Sequence, residues 1–173
     1  ADAALVLREH LERDGGTDAD IAAIRVTTYS MAAALDRPRW ANRLAAMFSI
    51  PYVVTTALLH GRVAPDSFEA SLDDRFEALA ARVHVEAGAA FDARLPDARG
   101  AAVEIVLADG RTLRHEVANP VGDVAHEPFD YEATVTLLRE LLDGDAVDRV
   151  VACAGALPEA PGARAHLRAL VGP

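Results

Sequence analysis

Residues 48–61 read FSIPYVVTTALLHG, the longest predominantly apolar run in the chain. The run is apolar on nearly every side rather than along one stripe, which is the pattern of a helix buried in the middle of a domain. Its ends are marked. Ser49 is a helix-capping residue type, and Pro51 falls in the first turn, where no backbone donor is required. Gly61 follows the last apolar turn and suits the left-handed stop conformation. Two side chains in this stretch carry chemistry, Ser49 and Tyr52. A tyrosine hydroxyl buried on such a helix needs a hydrogen-bonding partner, supplied by protein or by ligand.

Upstream of this stretch, residues 40–48 predict a helix leading into the central one, and 30–38 a connection with helical character at 31–35, broken at Arg37 and Pro38. Residues 24–29 alternate and are β-branched, which predicts a strand. A short capped turn at 17–21 precedes it. The opening residues 1–13 predict a helix with Ala4, Leu7 and Leu11 on one face, stopped by Asp14, Gly15 and Gly16.

Toward the end, a turn at 62–66 leads to a short helix starting at Ser67. A helix follows at 72–81, with Leu72, Phe76, Leu79 and Ala80 facing the core. Residues 83–86 alternate as a strand, and 87–100 read as a loop. Strands at 103–107 and 111–117 flank Asp109 and Gly110, a strong hairpin marker. Helices are expected from Tyr131 (with Val135, Leu138 and Leu142 sharing its face), over 146–157 and over 163–171. Strands and helices are partly segregated, so the fold class is α+β. The sheet is small and mainly antiparallel, of about four strands, packed with helices and flanked by C-terminal helices. One domain is expected over 1–173, with an α+β core at 1–128 and a helical segment at 129–173.

The chain has 173 residues and a net charge of −10. Such acidity repels phosphate backbones and anionic lipid, so neither nucleic acid nor a membrane surface is an expected partner. All 17 basic residues are Arg, which excludes a lysine Schiff base or lysine general base within this chain. The one cysteine, Cys153, rules out an internal disulfide and sits in an apolar helical context suited to a buried thiol. A reducing compartment is expected, hence a cytoplasmic location. No apolar run approaches the roughly 20 residues needed to span a bilayer. The chain opens in mid-helix sequence without a Met, which reads as a piece of a longer protein.

The six His are scattered, none at the spacing of a helical zinc motif. His115 shares a face with Leu113 and Val117 and reads as a core or edge residue. Asp18, Asp20, Asp73 and Asp74 sit in turns or at helix starts, where acids suit the dipole. Ser49 and Tyr52 remain. The residues alone leave two readings of them open: an N-cap with a core tyrosine, or a pair of site residues.

Residues 48–54 (FSIPYVV), followed by ALLHGRV at 57–63, resemble a signature of the MmgE/PrpD family. ADAAL at 1–5, DIAAIRV at 20–26, and AVEI at 102–105 with LADGR at 107–111 resemble further segments of it, in the same order. The family includes 2-methylcitrate dehydratase, cis-aconitate decarboxylase and iminodisuccinate epimerase. The resemblance implies a large helical domain plus a smaller α+β lid, with this chain as the lid and the active site between the two. It implies no metal or organic cofactor, and proton transfer at a carbon next to a carboxylate. Tyr52 would be catalytic, donating a proton or a hydrogen bond to a substrate carboxylate, and Ser49 would help bind the substrate. The partners implied are a small polycarboxylate, an N-terminal helical domain and a second copy of the full-length protein. The family's lysine and histidine ahead of the first helix have no counterpart in this chain, and a lysine often found after the sheet is replaced around Thr134 and Val135. The piece alone should therefore be inactive, since an anion site needs its positive charges. Dehydration, decarboxylation and epimerisation all stay open. So does a non-catalytic assembly module that keeps the lid fold.

Overall fold

In a computed structural model, which describes residues 1–68 and 73–156, four strands form one sheet. They are β1 (Ile21–Thr28), β2 (Val83–Ala87), β3 (Ala101–Leu107) and β4 (Thr112–Val117), in spatial order β2-β1-β3-β4. β1 runs antiparallel to β3, and β3 to β4, while β2 lies parallel to β1. The fold is α+β with a mixed, mostly antiparallel sheet. The parallel pair follows from the chain, which leaves β1, passes through a series of helices and returns in the same direction.

β1 begins three residues before the alternating stretch that announces it. A register shift between Ile21 and Ala23 interrupts the ladder with β3. Across such a bulge strict alternation fails, and Ile21 and Ile24 both point to the core.

The chain divides into two compact units, 1–128 and 129–173. In the first, α1 (Asp2–Arg13) and α4 (Ile50–His60) pack over one face of the sheet. Leu7 of α1, Ala57 of α4, Ile24 of β1 and Ile105 of β3 are fully buried in the shared core. Full burial of each Leu or Ile contributes roughly 1.5–3 kcal/mol. The central helix is bounded as its sequence indicates: the Ser49 hydroxyl accepts the Tyr52 amide, and Gly61 closes the helix at φ 68°.

Between β1 and α4 lie α2 (Ser30–Ala33) and α3 (Arg43–Met47), the latter capped by Asn42. α3 is shorter than the 40–48 expected, and Trp40 stands outside it. α5 (Asp74–Ala80) starts where the Asp73 carboxylate accepts the Phe76 amide; Leu72 lies outside the described residues. The 87–100 stretch is not all loop: α6 (Ala89–Asp92) buries Phe91. The second unit contains α7 (Tyr131–Leu141) and α8 (Gly144–Ala156), with Val135 and Val147 buried. Tyr131 and Leu142, expected on the covered face, are exposed, and Leu142 has already left the helix with extended backbone. The helix expected at 163–171 lies outside the described residues. Among the described residues, no helix is long and apolar enough to cross a membrane.

Candidate functional site

The first turn of α4 sends its two polar side chains into different surroundings. Ser49 is 1% exposed. Its hydroxyl accepts from the Trp40 indole N–H (2.7 Å) and from the Tyr52 amide (3.2 Å), and donates to the Arg37 carbonyl (2.6 Å). One donor and two acceptor positions are all a serine hydroxyl has, so its capacity is filled. Together with the Ile50 amide, which donates to the Leu35 carbonyl, these bonds fasten the connection 35–40 to the start of α4.

Tyr52 is 2% exposed and sits in an aromatic cluster. Trp40 meets it edge-on at 5.1 Å, Phe68 stacks at 5.5 Å and Phe76 lies tilted at 4.9 Å. Its hydroxyl donates to the Ser67 carbonyl at 2.9 Å. Burial pushes the phenol above its ordinary pKa, so it stays protonated at neutral pH and donates a hydrogen bond rather than acting as a base. Among the described residues, no group donates to the phenol oxygen, so its acceptor capacity is unused.

On the other side of the α4 start is a cavity of about 310 Å³. Ser49 lies in its wall, with Val53 of α4, Val26 of β1, Val103 of β3 and Val117 of β4. Tyr29 and Arg99 also line it, whereas Tyr52 does not. Neither Tyr29 nor Arg99 stands out in the sequence. One closes a strand and the other ends a polar loop, and only the pairing of β1 with β3 brings their two neighbourhoods together. The remaining candidates stay apart. His115 is half-buried on β4, and His126 pairs with Asp123 at 2.8 Å, holding that carboxyl below its ordinary pKa. Among the described residues, no cluster of three His, Cys, Asp or Glu side chains could hold a metal ion.

A family model described as the MmgE/PrpD C-terminal domain matches residues 1–152. The chain belongs to the MmgE/PrpD family. Among curated proteins, this MmgE/PrpD domain is similar to the mitochondrial 2-methylcitrate dehydratase of Yarrowia lipolytica (strain CLIB 122 / E 150), at 32% identity over 148 residues. The match covers 80% of this chain and 28% of that protein, so the chain spans little more than a quarter of its relative's length. Both sides of the α4 start, the aromatic cluster and the cavity, fall within the span matched by the family.

Proposed function

We propose that this MmgE/PrpD domain is the lid of a cofactor-independent lyase or isomerase that acts on a small di- or tricarboxylate, with dehydration of 2-methylcitrate as the leading reaction. The observation that carries the reading is the 32% identity to a 2-methylcitrate dehydratase along 80% of the chain. In this reading the substrate lies between the domain and an N-terminal helical domain, within a homodimer. Dehydration removes a proton from a carbon next to a carboxylate and expels hydroxide as water, so an acid must meet the leaving oxygen. Tyr52 is the candidate for that acid, because it carries a phenol proton at neutral pH at the start of α4, held by one hydrogen bond to the Ser67 carbonyl. To serve, its hydroxyl exchanges the Ser67 carbonyl for the substrate. Ser49, its hydroxyl already filled by Trp40, Tyr52 and Arg37, takes part in substrate binding only by shaping the cavity wall.

The test uses the complete protein. Incubation with 2-methylcitrate is expected to produce a conjugated double bond, read as rising ultraviolet absorbance. Absence of turnover with 2-methylcitrate, cis-aconitate and related polycarboxylates would remove the enzyme reading. A second reading, a non-catalytic assembly module, is favoured by one observation: the Ser49 and Tyr52 hydroxyls both donate to backbone carbonyls inside the domain.

A further inference from the structure

The cavity beside α4 has a composition of its own. Five valines line it, of which Val26, Val54 and Val103 are buried and Val53 and Val117 half-buried, beside Leu35, Met47 and Ile50. Three polar side chains line it near solvent: exposed Arg99, half-buried Tyr29 and half-buried Asp2. Among the described residues, nothing hydrogen-bonds or ion-pairs with the Arg99 guanidinium or the Tyr29 hydroxyl. Asp123 lies close enough to Arg99 to feel its charge without bonding to it. Asp2 is engaged, its carboxylate accepting the Val121 amide at 3.0 Å.

The start of α4 supplies no free donor to this space. Pro51 has no amide hydrogen, and the Ile50, Tyr52 and Val53 amides donate to the Leu35 carbonyl, the Ser49 hydroxyl and the Ser49 carbonyl. Recognition of an anion therefore falls to Arg99, with the Tyr29 hydroxyl as a second donor. Guanidinium suits a carboxylate because its paired N–H groups match the two oxygens. Asp2 on the same lining repels a second carboxylate and limits the site to one. The valines beneath offer only apolar contact.

We propose that this cavity is a subsite for one carboxylate that carries a short alkyl branch. Arg99 and Tyr29 hold the carboxylate, and Val26, Val53, Val103 and Val117 receive the branch. The inference rests on the polycarboxylate reading and names the part of the substrate that this domain recognises. It makes Arg99 an affinity residue and the valines specificity residues. In an apolar pocket one methyl group discriminates between ligands by about tenfold.

Calorimetry on the complete protein tests this with two probes that lack a hydroxyl and cannot be dehydrated, propane-1,2,3-tricarboxylate and butane-1,2,3-tricarboxylate. The wild type is expected to bind the butane compound roughly tenfold more tightly. Arg99→Gln should weaken both probes by roughly tenfold or more, since it removes a charged hydrogen-bonding partner. Val53→Thr should erase the preference for the butane compound and leave propane-1,2,3-tricarboxylate within about twofold, because the shape is kept and only the apolar contact is lost. Val117→Thr, on a half-buried strand position, repeats the test should Val53→Thr not fold. Unchanged binding of both probes by Arg99→Gln, or a preference that survives both threonine variants, overturns the subsite. Either result alongside wild-type turnover of 2-methylcitrate leaves the proposed reaction standing, whereas no probe binding and no turnover removes both.

Discussion

Ser49 is tied to three partners at once, so its removal does more than uncap a helix. In Ser49→Ala the Trp40 indole N–H and the Arg37 carbonyl lose their partner together with the cap on the Tyr52 amide. A lost cap costs about 1 kcal/mol, and each buried group left unpaired about 1–3 kcal/mol. Water can reach part of this site, so the expected loss is about 2–4 kcal/mol, read as a lower denaturant midpoint. Tyr52→Phe removes one hydroxyl-to-carbonyl bond and keeps the ring contacts, so about 1 kcal/mol is expected. Turnover separates the two differently. In the complete protein, Tyr52→Phe should lose most activity while its melting temperature stays near wild type; undiminished turnover there would end the catalytic role. A third residue points the other way. Thr55 is wholly buried in α4, and among the described residues its hydroxyl has no hydrogen-bond partner. Thr55→Val keeps the shape and removes the unpaired group, so stability should rise by about 1 kcal/mol. A fall of that size in urea titration would contradict the unpaired hydroxyl.

At the scale of elements, what could be read in advance is what acts locally. The ends of α4 were legible because Ser49, Pro51 and Gly61 work within one turn of themselves. The β3–β4 hairpin was legible because Asp109 and Gly110 sit directly between its strands. The start of β1 was not, because the bulge near Ile21 is made with β3, far along the chain. α6 was hidden by its Ala- and Gly-rich context, where only the burial of Phe91 decides. The candidate site divides the same way. Ser49 and Tyr52 lie on one turn of one helix, while Arg99 and Tyr29 reach one cavity only because the sheet brings distant segments together. The closing turn of α4 yields a prediction of its own. Gly61 has φ 68°, and a Cβ there would stand 3.1 Å from Nε of Arg8, whose guanidinium donates to the Leu58 carbonyl. The left-handed conformation costs a side chain about 1–2 kcal/mol, and Arg8 must also shift. Gly61→Ala should therefore destabilise by about 2 kcal/mol, and Gly61→Asn by less, since Asn tolerates this conformation. Equal melting temperatures for the two variants would show that the clash with Arg8, not the backbone, sets the cost.

For the whole molecule, two electrostatic effects oppose each other as pH falls. The chain carries a net −10 near neutrality, so protonating carboxylates relieves self-repulsion and favours the compact state. Against this stand carboxylates whose folded pKa lies below the ordinary value. Asp18 is lowered chiefly by its hydrogen bond to Arg75, and Glu116 by its bonds to Arg94 and Arg114. Asp92 is lowered by Ser30 and Asp109 by Arg111. A depressed carboxylate stabilises the fold at every pH above its unfolded value, which is 3.8 for Asp and 4.5 for Glu. That stability is lost as pH drops through the folded value. Most of these pairs are solvent-exposed and individually weak. Asp18 differs, with its side chain only 19% exposed and two oxygens held by one guanidinium. The paired carboxylates should win below pH 4, because protonation there breaks specific bonds, while the repulsion is spread over the surface and screened by salt. The melting temperature is expected to be level from about pH 8 to 5.5 and to fall steeply below 4, where the lowered carboxyls titrate. Asp18→Asn should melt lower at pH 7 and lose less on acidification, converging on the wild type near pH 3. A melting temperature that rises between pH 5 and 3.5 at 0.15 M salt would show that general repulsion outweighs the Asp18–Arg75 pair and its companions.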